Sequence, residues 1–203
     1  MKKTLIFAKI LFFFLLLGFS TNAFAETIVI LMPGKTEART GRGILLDNRT
    51  NFSRGKMKAI VAKSAGEAKR IALKAKKSGN KIAIVGMSLG AERAADALRA
   101  GAPADGVVFL SGDYRRIKRI LGSPSKLPAA SILIHHRSDD CPATNPSEAD
   151  PFKRWSGGKV KRIVWITTTG DGAASGCRPS AAHGFYGKFS KPVSAAIGFV
   201  SSL

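Results

Sequence analysis

Ser88 stands between two glycines in Gly86-Met87-Ser88-Leu89-Gly90, where an apolar run meets an alanine-rich amphipathic one. A serine hydroxyl attacks a carbonyl only when it is lifted clear of the chain and offered a base, and this spacing supplies the first condition. A strand that turns abruptly into a helix strains the residue at the turn, and glycine two positions to either side lets the two segments pass closely. The same turn sets the Leu89 backbone N–H at a helix N-terminus, where it can bind a developing oxyanion. The chemistry indicated is nucleophilic attack by Ser88.

The elements that must hold this serine are short β-branched runs alternating with helical stretches. "TIVILM" from Thr27, "KIAIVG" from Lys81, "GVVFLS" from Gly106, "ASILIHH" from Ala130 and "KRIVWITT" from Lys161 are continuously apolar, as strands buried on both faces require. Between the first two, Met57, Ile60, Val61, Ala68, Ile71 and Leu73 fall near helical spacing among lysines, so a helix is expected over about residues 56–77, with Gly66 weakening its middle. Residues 91–99 form a second helix, stopped by Gly101 and Pro103, and a third begins near Pro192 with Val193, Ala196, Ile197 and Val200 on one face. Residues 35–55 read as a long loop with 43–47, "GILLD", as a short additional strand. Strands alternating with helices predict a three-layer α/β/α fold with a mostly parallel sheet and right-handed crossovers.

Residues 1–25 have the three zones of a secretory signal: Lys2 and Lys3, the apolar "ILFFFLLLGF", and the small-x-small Ala23-Phe24-Ala25. The apolar run falls short of the roughly 20 residues that span a bilayer, so a cleaved leader is expected rather than an anchor. The chain then starts at Glu26, and 26–203 is the size of one domain, periplasmic or secreted. Cys141 and Cys177 would meet an oxidising compartment there, and a disulfide between them is expected. A metal site joining these cysteines to His135 or His136 lacks the repeated close spacing of zinc modules, so no metal and no cofactor is expected.

The formal net charge of +20 stays strongly positive after the leader's lysines are removed. Clusters at 74–77, 115–119 and 159–162 would attract phosphate-rich polymers or anionic headgroups, which makes a purely binding role on an anionic polymer or surface the competing function. No nucleic-acid module with interleaved aromatics is present, and a specific nucleic-acid partner is not expected.

With a buried strand before the G-x-S-x-G motif and a helix after it, the sequence from Thr27 onward resembles the α/β-hydrolase superfamily. That resemblance implies a triad in the order serine, acid, histidine. In "SILIHHRSDDCPATNP" a strand end is followed by an acidic pair, resembling the family's acid loop; counting from His135 the matching acid is Asp139, with Asp140 beside it as the alternative and Asp113, one strand earlier, as a third. In "CRPSAAHGFYGKF", His183 resembles the family's histidine, which leaves His135 and His136 structural roles near the acid loop. The implied set is Ser88, Asp139 and His183, acting through an acyl-enzyme that water hydrolyses, with the second oxyanion N–H from Lys35 after the first strand. Pro33 stands where the family commonly has His-Gly, a departure that bears on Lys35. A disulfide between Cys141 and Cys177 would tie the acid loop to the histidine loop. Too few residues separate Ser111 from the strand near Ala130 for a helical lid, although "GDYRRIKRILGSPSK" suits a short helix beside the site whose Tyr114, Arg115 and Arg116 either border the pocket or, as favoured here, lie on a solvated face. A shallow open pocket is expected, for a small ester or an exposed acyl group on a larger molecule.

Overall fold

The computed structural model describes residues 25–203, so all but the last residue of the expected leader lies outside the described residues. Six strands, β1 (Thr27–Met32), β2 (Met57–Val61), β3 (Lys81–Met87), β4 (Gly106–Leu110), β5 (Ala130–His136) and β6 (Val160–Ile166), form one sheet in the order β2-β1-β3-β4-β5-β6. Every pairing is parallel. The five apolar runs are therefore β1, β3, β4, β5 and β6, and β3 to β5 are buried along nearly their whole length.

Helices α1 (Lys35–Thr40) and α2 (Ile44–Asp47) follow β1, and α3 (Ala65–Lys77) follows β2. Next come α4 (Leu89–Arg99) after β3, α5 (Tyr114–Leu121) after β4, α6 (Ala149–Trp155) after β5 and α7 (Ser190–Ser201) at the end. Helices α3 to α6 share one core with one face of the sheet, while α2 and α7 share a second core with the other. This is a three-layer α/β/α sandwich.

The helix expected over 56–77 is in fact a strand followed by a shorter helix. Residues Met57 to Val61 pair in register with Thr27 to Leu31 as the sheet edge. The helix starts only at Ala65, where the Ser64 side chain accepts the Glu67 N–H at 3.2 Å and Glu67 accepts the Lys63 N–H at 2.8 Å. These two bonds satisfy donors that a helix start leaves unpaired, and Gly66 lies in the first turn, not mid-helix.

The strand expected at 43–47 is instead the short helix α2. Its first N–H groups are taken up by a buried carboxylate, with Glu37 Oε1 accepting from Leu45 at 2.6 Å and from Leu46 at 2.9 Å. Helix α6 has no counterpart among the sequence expectations, and the one residue in it that a helix interior would not tolerate is Pro151. It lies in the first turn, where no N–H is required of it, and the helix buries Phe152 against Phe109 and Tyr114.

The chain leaves β1 for β2 on one side of it and then crosses to β3 on the other. At such a switch the loops leaving β1 and β3 diverge and open a crevice at the C-terminal ends of the strands. Gly34 and Ser88 meet there.

Candidate active site

Ser88 has φ 52° and ψ −121°, a backbone strained for any residue with a Cβ. The turn is tight because its glycines are in contact with backbone. A Cβ on Gly86 would come within 2.6 Å of the Gly90 carbonyl oxygen, and one on Gly90 would collide with the Met32 carbonyl. Alanines 91, 94 and 95 are fully buried, and these small side chains let α4 lie close to the sheet. The Ser88 N–H donates to the Leu110 carbonyl at 2.9 Å, which locks the turn to β4.

His183 reaches this serine from the segment after β6. Its Nε2 lies 3.0 Å from Ser88 Oγ, and its Nδ1 lies 3.0 Å from Asp139 Oδ2. Asp139 follows β5 and is buried, as His183 is. Three sequence-expected residues from three loops, 95 and 44 positions apart, thus form one hydrogen-bonded chain. The other two acids lie outside it: Asp140 accepts the Gly176 N–H at 2.8 Å, and Asp113 caps α5 by accepting the Arg116 N–H at 3.0 Å.

The Asp139 carboxylate is the hub of a wider buried network. Oδ2 also accepts from Thr144 Oγ1 at 3.0 Å and from His135 Nε2 at 2.9 Å, and Oδ1 accepts the Cys141 N–H at 3.0 Å. Burial pushes this carboxyl up, but the hydrogen bonds from His135 and His183 outweigh burial and hold it well below the usual carboxylate range. Tyr114 lies 3.0 Å from His135 Nδ1, and burial, then the Asp139 charge, push its phenol up. The ionised Asp139 carboxylate can only accept, so His135 presents Nε2–H to it and leaves Nδ1 to accept from the Tyr114 hydroxyl. With His183 presenting Nδ1–H to the same oxygen, its Nε2 lone pair faces the Ser88 hydroxyl.

His135 lies beside the acid loop as expected, but Tyr114 does not lie on a solvated helix face. Tyr114 is buried instead, packed against Phe152 in the core and hydrogen-bonded to His135. Thr144 and Ser111 join the site without any signal in the sequence. Thr144 Oγ1 sits 3.0 Å from His183 Nδ1 as well as from Asp139, and Ser111 Oγ donates to the His183 carbonyl at 2.8 Å. His136 is buried with Nδ1 accepting the Ser138 N–H at 3.0 Å, and burial lowers its basicity.

The disulfide Cys141–Cys177 is present. Asp139, Cys141 and His183 bring one potential ligand atom each within 4.8 Å of one another, but that sulfur is spent in the disulfide and the His183 Nδ1 is spent on Asp139. The donor set does not suit a metal.

Solved structures with this architecture include a lipase-esterase related protein from Clostridium acetobutylicum, 9% identical, covering 86% of this chain and 95% of that one with a TM-score of 0.55. Thermogutta terrifontis esterase 2, phosphonylated by sarin, is 15% identical over 88% of this chain and 84% of its own, with a TM-score of 0.56. A monoacylglycerol lipase from Paleococcus ferrophilus is 13% identical over 88% and 96%, with a TM-score of 0.51. The chain has the α/β-hydrolase fold. No protein-family model and no curated protein sequence matches it.

In this hydrolase fold the crevice is a cavity of about 330 Å³, walled by the loops after β1, β3, β5 and β6 and including Gly34, Met87, Ser88, Thr144 and His183. The disulfide forms part of its wall through Cys141 and Cys177. None of the lining comes from residues 111–130, since α5 packs beside α4 and α6 instead of over the crevice. Lys35 and Leu89 both line the cavity, each as the first residue of a helix whose initial N–H has no intrahelical acceptor. The β1 loop lies against the elbow, with a Cβ at Gly34 only 3.4 Å from that of Ser88. Glu37 braces it by accepting the Gly34 N–H at 3.3 Å.

Proposed function

We propose that the protein is an exported serine hydrolase that cleaves carboxylic esters through an acyl-enzyme. The observation that carries this reading is the 3.0 Å contact between Ser88 Oγ and His183 Nε2 at a strained strand-to-helix turn. His183 accepts the Ser88 proton as the hydroxyl oxygen attacks the ester carbonyl. Asp139 holds the imidazole ring in register and stabilises the imidazolium that forms. The carbonyl oxygen, now negative, is received by the backbone N–H groups of Leu89 and Lys35, an interaction that strengthens as charge develops. Collapse expels the alcohol with the proton from His183, and water then attacks the acyl-serine by the same steps in reverse.

The cavity of about 330 Å³ suits a short acyl group, or an acyl group presented by a larger molecule whose remainder stays outside. The fold shared with lipases and esterases supports ester substrates. Export rests on the form of residues 1–25 and agrees with the disulfide. A purely binding role gives no account of a strained serine in contact with a buried His–Asp pair.

The test is covalent labelling by a fluorophosphonate probe, a chemistry matched by the phosphonylated Thermogutta esterase. The oxidised protein should label, and Ser88→Ala and His183→Ala should not. Failure of the folded wild-type protein to label would overturn the mechanism.

A further inference from the structure

The two helical layers differ sharply in charge. Helix α3 carries Lys69, Arg70, Lys74, Lys76 and Lys77 against the single acid Glu67, whereas α7, in the opposite layer, carries Lys191 alone. Leu73 lies in the middle of this basic helix and is 48% exposed, more than any other large hydrophobic among the described residues. The positions three and four residues away share its face, and every one is basic: Lys69, Arg70, Lys76 and Lys77. Lys76 pairs with Asp105 at 3.3 Å, while among the described residues Lys69, Arg70, Lys74 and Lys77 make no ion pair.

We infer that this face of α3 docks on an anionic phospholipid surface. Cations alone would suit any polyanion, but an exposed leucine ringed by them gains nothing from a hydrated polymer. A bilayer interface offers both partners, with headgroup charge for the lysines and the acyl boundary for the leucine. The long basic side chains can lay their apolar stems beside Leu73 while their charges reach the headgroups. Helix α3 leaves the C-terminal edge of the sheet after β2 and returns the chain to the start of β3, so Leu73 to Lys77 lie toward the edge opposite Ser88. Docking would therefore leave the crevice unobstructed, and the inference does not depend on the ester chemistry.

The six-stranded sheet and both helical layers lie within the described residues 25–203, so the chain from Glu26 is the form to test, free of the apolar segment before it. Co-sedimentation would be measured with vesicles of phosphatidylcholine alone and with added phosphatidylglycerol, alongside turnover of a soluble short-chain ester. The expected result is binding to the anionic vesicles only. Arg70→Gln and Lys77→Gln should each weaken it about fivefold, and Leu73→Ser about tenfold, with soluble turnover unchanged. Absence of binding to anionic vesicles would overturn the inference. So would binding that Leu73→Ser leaves intact and that soluble polyphosphate abolishes equally well in both proteins, since that pattern marks a polyanion site. Loss of ester turnover in the wild-type protein, with vesicle binding retained, would count against the hydrolase reading alone.

Discussion

Ser111 Oγ donates to the backbone carbonyl of His183 across 2.8 Å, joining the end of β4 to the segment that carries the imidazole. Both residues are buried, and Ser111 itself has φ 42°. This bond fixes the height of His183 above the sheet without touching a reacting atom. Ser111→Ala should leave the fold intact and lower kcat/KM by roughly tenfold, because a displaced base loses its alignment with the serine. Ser111→Gly should behave alike, although it removes the backbone strain, and steady-state kinetics on the two variants would separate hydroxyl from strain.

The geometry around His183 distinguishes its neighbouring carboxylates. Asp139→Asn should reduce kcat by about 10⁴, the magnitude associated with losing the acid that sets the histidine tautomer. Asp140→Asn and Asp113→Asn should stay within a few-fold of wild type, because they remove a loop bond to Gly176 and a helix cap. An Asp140 variant as impaired as the Asp139 variant would refute the assignment of the acid.

Cys141 and Cys177 close a sequence separation of 36 and both wall the cavity. Constraint of an unfolded loop of that length is worth about 4 kcal/mol, so Cys141→Ser/Cys177→Ser should be destabilised to that order in chemical unfolding. Activity should fall as well, since the loops bearing Asp139 and His183 lose their covalent link. Unfolding curves and kcat measured with and without reductant would check both effects, and a fully active reduced protein would confine the bridge to stability.

Stability should fall in acid in two stages. The His136 imidazole has its basicity lowered by burial from the ordinary 6.5, so the unfolded chain takes up its proton first as the pH drops below about 6.5 and folding weakens. Asp139 is ionised in the folded protein well below the ordinary 3.8, so its contribution is complete above that pH and is lost as the pH falls toward the folded value. Denaturant midpoints measured across this range should show both slopes, and Asp139→Asn should remove the second.

The amino-acid sequence by itself determined the layered α/β class, five of the six strands, the serine at its elbow and the pairing of the two cysteines. Those features are local or compositional: continuous β-branched runs, glycines two positions from a serine, a helix signal after it. It determined far less where a segment's state depends on a distant partner. Residues 57–61 carry apolar spacing compatible with helix, and pairing with β1 makes them a strand. Residues 44–47 become helical because the Glu37 carboxylate receives their N–H groups. Among three acids in suitable loops, only Asp139 lies where β5 and the segment after β6 bring a carboxylate within 3.0 Å of His183. The support from Thr144, Tyr114 and Ser111 was equally hidden, because a hydroxyl's partner is set by which loops the sheet order brings to one edge. The periodicity of a single segment carries no record of that order.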